Sequence, residues 1–187
     1  MNVRKFILKH IRWILFGFIP LLTFLMHLHI FPTELVGTHA WRQCETASNV
    51  ANFYDHSFAI TDPHVYQLDF PEGLKRMEFP IMQWGMALAY DIFGPSVVVL
   101  RIFSWLIGLF SIWGMFYLIR ALFDDKWIAI AGAWCFAFSP VFFYYSVNPL
   151  PDNLALAAGI WGAAGFVLWH RGRNVGHLWL AATMLML

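Results

Sequence analysis

The chain has 187 residues, of which 60% are hydrophobic and only 12% are charged, and its mean hydropathy is +0.61. Such a composition excludes a water-soluble domain of this length, so we expect an integral membrane protein. The net charge of +1 points to no particular partner. We expect contact with membrane lipids and none with nucleic acid.

Four apolar runs are long enough to cross a bilayer, and a fifth begins near the end of the chain. They lie at about 11–31, 96–123, 127–147, 153–169 and from 178 onward. The runs must be helical, because lipid offers no hydrogen-bond partners to an exposed backbone. The sequence therefore predicts an all-α fold, a polytopic bundle of transmembrane helices. The fifth run has about ten residues where a span needs about 20, so we expect 1–187 to be the N-terminal part of one larger transmembrane domain.

Basic residues predict how the chain is oriented in the membrane. Eight of the twelve Lys and Arg residues fall before the first run or in alternate connections: Arg4, Lys5, Lys9, Arg12, Arg120, Lys126, Arg171 and Arg173. Connections rich in Lys and Arg stay in the cytoplasm. We therefore expect a cytoplasmic N-terminus, a multi-pass protein of the inner (cytoplasmic) membrane, and an extracytoplasmic first loop at 32–95.

This long first loop is predicted to carry two helices. Between Ala40 and Phe58, apolar residues recur at steps of three and four, which is one face of a helix. The apolar face comprises Ala40, Cys44, Ala47, Ala51, Tyr54 and Phe58, and the polar face comprises Arg42, Glu45, Asn49, Asn52 and His56. A second stretch, 80–93, starts with a proline and has about 14 residues, too few to span. We expect the first helix to lie in the membrane interface, whereas the second suits either a re-entrant or an interfacial helix.

Glu45 and Arg42 are the first candidates for chemistry. A carboxylate on the polar face of an interfacial helix can act as a general base or hold a divalent cation, and the planar fork of an arginine suits a phosphate. The alternative is a surface ion pair between residues three apart on one helix. On spacing alone, the ion pair is the favoured interpretation.

Three further charged residues lie where outer segments meet apolar runs. Asp152 precedes the fourth run, either as its N-cap or as a second carboxylate beside Glu45, and spacing favours the cap. Glu78 precedes the second loop helix as a helix-start acid. Arg101 lies near the outer end of the second run, where it either extends toward headgroups or binds a lipid phosphate.

The only cysteines, Cys44 and Cys135, have no ligand spacing and predict two free thiols, Cys135 being buried within a span.

Several of these motifs together resemble a known family. They are His39 to Ala47, Ala51-Asn52-Phe53-Tyr54, Glu78-Phe79-Pro80-Ile81, Phe93-Gly94, Arg101 and Pro151-Asp152, in this order. The series resembles bacterial GT-C membrane glycosyltransferases, the relatives of protein O-mannosyltransferases and of aminoarabinose transferases that modify lipid A. Where some relatives carry an Asp-Glu pair in the first loop, this chain has Cys44 and Glu45.

The resemblance implies transfer of a hexose or pentose from a polyprenyl-phosphate donor to a lipid, glycan or protein acceptor outside the cytoplasm. It assigns the base or a metal-site role to Glu45 and a second acid to Asp152, with a divalent cation as the possible cofactor. It leaves Arg42, Gln43, Glu78 and Arg101 as substrate-binding candidates.

The alternative is a non-enzymatic polytopic protein, a transporter or an assembly subunit. Transporters place polar groups or broken helices near the middle of the bilayer. Here the ionisable residues cluster at the ends of the apolar runs, which weighs against transport.

Overall fold

The computed structural model describes residues 3–61 and 79–187, with side chains from His10 onward. Within this part of the chain there are eight helices and no strand, which confirms the all-α prediction. The helices are α1 (Val3–His27), α2 (Ala40–Asp55), α3 (Ile81–Phe93), α4 (Val97–Phe123), α5 (Lys126–Ala137), α6 (Pro140–Tyr145), α7 (Asp152–Gly172) and α8 (Val175–Leu185).

Three of these helices are long and apolar enough to cross a membrane. They contain the stretches His10–His27, Val97–Phe123 and Asp152–Gly172. Each exposes large apolar side chains, such as Leu21, Leu106 and Phe166. Exposed apolar side chains on helices of this length suit a hydrocarbon environment. Helices α5 and α8, of 12 and 11 residues, are shorter than a span.

The predicted third span, 127–147, is divided into α5 and α6, and this is a correction to the sequence interpretation. The break lies at Phe138 and Ser139, directly before Pro140. Proline disfavours helical backbone at the preceding residue and has no N–H to donate, but it suits the first position of a new helix. The apolar run continues through the break, so hydropathy alone did not reveal it.

By its internal contacts the chain divides into two units, and the first comprises Met1–Leu28, Gly108–Tyr144 and Leu156–Leu187. Its core includes Ile19, Ile112, Phe116, Ala129, Ile130 and Ala133. Helix α1 packs on α5, where the Trp134 indole N–H donates to the carbonyl of Leu15 at 3.2 Å. Cys135 is free, as predicted, but it is exposed on α5, because Ala133 and Ala137 occupy the buried face of that helix.

The second unit comprises His29–Ile107 and Tyr145–Ala155. Both predicted loop helices are present as α2 and α3, and they pack on each other. Their shared core consists of Val50, Phe53, Met82, Met86, Ala87, Tyr90 and Leu100.

The buried face of α2 differs from the predicted apolar face. Its buried residues are Gln43, Thr46, Asn49, Val50 and Phe53. From the predicted face, Cys44 and Phe58 are exposed. Two polar side chains reach the interior by bonding to nearby backbone, since Thr46 Oγ1 donates to the Arg42 carbonyl and Gln43 Nε2 donates to the Thr38 carbonyl. The packing of α3 against α2 decides which face of α2 is buried, and the periodicity of the α2 sequence does not.

Candidate functional site

Within the second unit, the beginning of α2 meets the beginning of α7. Arg42 Nε lies 3.3 Å from Asp152 Oδ2, and the two side chains are 28% and 67% exposed. The contact is a charge pair by distance, without the geometry of a directed hydrogen bond. A cation from the first-loop motif therefore meets an acid from the start of α7, with the Arg42 Nε atom enclosed and the Asp152 side chain mostly exposed.

Asp152 is the first residue of α7 and not the residue before it, so its predicted N-cap role is corrected. An acid in the first turn of a helix is stabilised by the partial positive charge of the helix N-terminus. The carboxylate reaches outward to Arg42. Asp152 thus keeps a favourable helix-start position while its charge remains accessible to a substrate.

Glu45 follows Arg42 by three residues on α2. Residues at this spacing have Cβ atoms about 5–6 Å apart on one side of a helix, which places Glu45 close to the Arg42–Asp152 contact. The Glu45 side chain is partly buried, and its Oε2 atom is enclosed. The catalytic and metal-binding assignments of Glu45, and its sharing of one site with Asp152, stay predictions.

Gln43, a predicted substrate contact, is fully buried. Its amide nitrogen lies 3.3 Å from the Thr38 carbonyl, whereas its amide oxygen has no hydrogen-bond partner. Gln83 on α3 is also buried with an unpartnered amide oxygen. Buried acceptors of this kind are often satisfied by ordered water. Contact between Gln43 and a substrate stays a prediction, and in this conformation the side chain faces the protein interior.

Arg101 is 2% exposed and does not extend toward solvent. Its Nε and Nη2 donate to the carbonyls of Thr33 and Glu34, at 3.1 and 2.7 Å. Its Nη1 donates to Asn148 Oδ1 at 2.8 Å and lies 3.5 Å from the Val147 carbonyl. The snorkelling alternative is therefore wrong, and binding of a lipid phosphate by Arg101 stays a prediction.

Sequence reasoning missed the asparagines that flank Asp152. Asn153 Nδ2 donates to the carbonyls of Tyr145 and Asn148, at 3.0 and 2.8 Å. Together Asn148 and Asn153 organise the connection from which Asp152 emerges. A short link with two prolines between two asparagines was the available signal, because asparagine side chains commonly bond to nearby backbone.

Two predictions concern residues or groups outside this geometry. Glu78, a predicted substrate-binding acid, lies outside the described residues. Among the residues that are described, no three His, Cys, Asp or Glu side chains are grouped to hold a metal. Glu45 and Asp152 are two carboxylates, fewer than the ligands that a hard divalent cation takes, and binding of a divalent cation stays a prediction.

Comparison with known proteins identifies the kind of molecule in which this site occurs. The sequence model of the dolichyl-phosphate-mannose-protein mannosyltransferase family matches residues 77–187, more than half of the chain. The chain belongs to this family. No curated protein and no solved structure matches it.

Membership of the mannosyltransferase family confirms the resemblance to membrane glycosyltransferases. Together with the three apolar helices, it makes the chain an integral membrane protein of a glycosyltransferase family. The matched region includes Arg101 and Asp152, whereas the first-loop motif at 39–47 precedes it. The contact between Arg42 and Asp152 therefore joins a residue inside the matched region to one outside it.

Proposed function

We propose that the protein transfers a sugar from a polyprenyl-phosphate donor to a lipid, glycan or protein acceptor on the extracytoplasmic side of the cytoplasmic membrane. The observation that carries this proposal is the contact between the partly buried Arg42 side chain and the exposed Asp152 side chain in a member of the mannosyltransferase family. The first-loop motif and the start of α7 are the regions where the resemblance to GT-C enzymes locates acidic residues. Mannose, the sugar in the family description, is the first donor to test.

The reaction requires a proton acceptor and a stabilised leaving group. The acceptor hydroxyl attacks C1 of the sugar, its proton passes to a carboxylate, and the C1–O bond to phosphate breaks. The polyprenyl phosphate leaves with the bonding electron pair and carries the developing negative charge. A carboxylate base contributes about 10²–10⁴-fold to such a step, and a fixed cation near the phosphate stabilises the charge.

The site offers one side chain for each of these roles. Glu45 is the proposed base, and Arg42 is the proposed cation for the phosphate, since a guanidinium fork matches phosphate oxygens. Asp152 is the second acid, and its carboxylate holds the Arg42 side chain at the start of α7.

The decisive variant is Glu45→Gln, which keeps the size of the side chain and removes its charge. With the purified protein in liposomes and tritiated polyprenyl-phosphate mannose as donor, we expect transfer to fall by about 10²–10⁴-fold while donor binding changes little. Asp152→Asn is expected to lower transfer by weakening the hold on Arg42. Asp91→Asn, an exposed acid on α3, is the matched control and should retain activity.

The same assay distinguishes the alternatives for Glu45. If Glu45 holds a divalent cation, the loss in Glu45→Gln shrinks as Mg²⁺ or Mn²⁺ is raised, and a chelator inactivates the wild type. If Glu45 is only a helix-surface partner of Arg42, Glu45→Gln changes the free energy of unfolding of the protein by a few tenths of a kcal/mol and keeps transfer activity. Normal transfer by both Glu45→Gln and Asp152→Asn would leave these acids with structural roles only.

A further inference from the structure

Arg101 holds two separate stretches of backbone in the second unit. Its guanidinium reaches the carbonyls of Thr33 and Glu34 on one side and the connection at Val147 and Asn148 on the other. Because the five N–H donors of arginine are fixed in one plane, their directions are set together. The two stretches are therefore held in one relative arrangement by a single side chain.

Because the arrangement is buried, the loss of any one of its hydrogen-bond partners is costly. Arg101 is 2% exposed, and Val147, Asn148 and Leu150 are 1%, 4% and 4% exposed. Removing a partner from a buried, hydrogen-bonded cation leaves groups that neither water nor a shorter side chain satisfies. A lysine keeps the charge but cannot reproduce the fork.

Asn148 is the point where the Arg101 contacts and the start of α7 converge. Its side-chain oxygen accepts from Arg101, and its backbone carbonyl accepts from Asn153 Nδ2 at 2.8 Å and from the Leu150 amide at 2.8 Å. Asn153 directly follows Asp152, the acid that meets Arg42. A continuous path of short hydrogen bonds thus leads from α4 to the residue beside the exposed carboxylate.

We propose that Arg101 is a positioning residue: it fixes the 147–151 connection through Asn148 and thereby sets where Asp152 meets Arg42. The proposal rests on the proposed function, because it takes the Arg42–Asp152 pair to be part of the reacting site. It gives Arg101 a role through other residues and not through contact with the lipid phosphate.

The first test measures geometry and needs no substrate. Nitroxide labels on the native, exposed Cys44 and on an introduced Ala155→Cys, in a Cys135→Ser background, report how α2 lies relative to the start of α7 within the second unit. We expect Arg101→Gln and Asn148→Ala to broaden or shift the distance distribution. Ser104→Ala is the control, since this fully buried hydroxyl lies on α4 and bonds only to the Leu100 carbonyl of its own helix.

The second test measures turnover with polyprenyl-phosphate mannose. A misplacement of about 1 Å costs about 10²-fold in rate, so we expect Arg101→Gln and Asn148→Ala to lower kcat by about 10–10²-fold with little change in donor KM. Arg101→Lys should not restore kcat, because it lacks the planar fork. Ser104→Ala should match the wild type in both constants.

The possible results separate this proposal from the proposed function. Broadened distances with a lower kcat support the positioning role. Unchanged distances in both Arg101→Gln and the milder Asn148→Ala overturn it, and a rise in donor KM at unchanged distances assigns Arg101 to phosphate binding instead. If the wild type transfers no mannose but the distances still broaden, the structural link between Arg101 and the Arg42–Asp152 contact stands and the proposed donor is wrong.

Discussion

Two arginines of the second unit illustrate how surroundings divide the roles of one residue type. The side chain of Arg42 is 28% exposed and meets a carboxylate that is itself 67% exposed, whereas Arg101 is 2% exposed and bonds to carbonyl and amide oxygens. A cation in the first setting is partly accessible to an anionic ligand, although its Nε atom is enclosed. A cation in the second setting stabilises the fold around it, because an enclosed charge must be hydrogen-bonded. The difference in exposure, and not the residue type, therefore separates Arg42, which is proposed to bind the phosphate, from Arg101, which is proposed to position other residues.

Tyr90 gives a prediction about stability in alkaline solution. It lies on α3, outside the three candidate spans, packs edge-on against Tyr54, and is 7% exposed. Burial raises the pKa of Tyr90 from 10.0 to about 12. As pH rises through this window, the unfolded chain releases the phenol proton while the folded protein keeps it, so the free energy of unfolding falls. The stabilisation that the shifted pKa of Tyr90 adds to the free energy of unfolding is fully present below pH 10. It is lost as pH rises toward 12, and it amounts to at most about 3 kcal/mol.

We expect Tyr90→Phe to remove this pH dependence. Unfolding midpoints in detergent, measured from about pH 8 to about pH 11, should decline less steeply in Tyr90→Phe than in the wild type. Tyr144→Phe removes a phenol at an exposed position and is the control. Parallel curves for Tyr90→Phe and the wild type would contradict the assignment.

At the scale of helices, local signals and packing act at different places. Pro140 ends one helix and begins the next by the chemistry of its own backbone, so the division of α5 from α6 is a local event.

The packing of α7 and α8 is different, because it depends on close approach between helices. A Cβ at Gly165 of α7 would lie 2.9 Å from the His177 carbonyl oxygen and the Ala181 nitrogen of α8. These two helices approach so closely there that only glycine fits.

Gly165→Ala is therefore expected to destabilise the first unit. Because the nearest atoms are backbone, they cannot move aside as a flexible side chain would, and overpacking of this kind costs about 1–3 kcal/mol. Gly159→Ala on the same helix is the matched control, since a Cβ there meets nothing within 4 Å. Thermal unfolding in detergent should show a lower midpoint for Gly165→Ala and an equal or higher one for Gly159→Ala. Equal midpoints for the wild type and Gly165→Ala would show that α8 is free to shift.

At the scale of the whole molecule, the three apolar helices make the chain a membrane protein, and the basic residues predict which side each connection occupies. The proposed reaction depends on this orientation, because the first-loop motif and the start of α7 must lie on the side of the donor sugar. Orientation is a property of the protein in its membrane and is tested there.

Labelling of cysteines with a membrane-impermeant maleimide checks the orientation. In intact cells carrying Cys135→Ser, we expect the exposed native Cys44 to react, since it lies in the predicted outer segment. In a background of Cys44→Ser and Cys135→Ser, an Arg171→Cys variant should react only after the membrane is permeabilised. Labelling of the introduced cysteine at position 171 in intact cells, with Cys44 protected, would reverse the predicted topology.

Much of the fold followed from local chemistry that a sequence displays directly. Apolar length predicted α1, α4 and α7 as spans. Steps of three and four predicted α2, and a short apolar stretch that starts with a proline predicted α3. Similarly, the first-loop motif and Pro151-Asp152 indicated the glycosyltransferase family before any contact was known.

Only the tertiary structure decided which of these residues meet. The contact of Arg42 with Asp152 and the enclosure of Arg101 by Thr33, Glu34 and Asn148 join segments that are distant along the chain. The same packing buried the face of α2 that carries Gln43 and Thr46 and left the predicted apolar face partly exposed. Helical periodicity in a sequence shows only how apolar and polar side chains are distributed around the axis of a helix. Which side is enclosed, and which charge remains accessible, depends on the neighbours that pack against it.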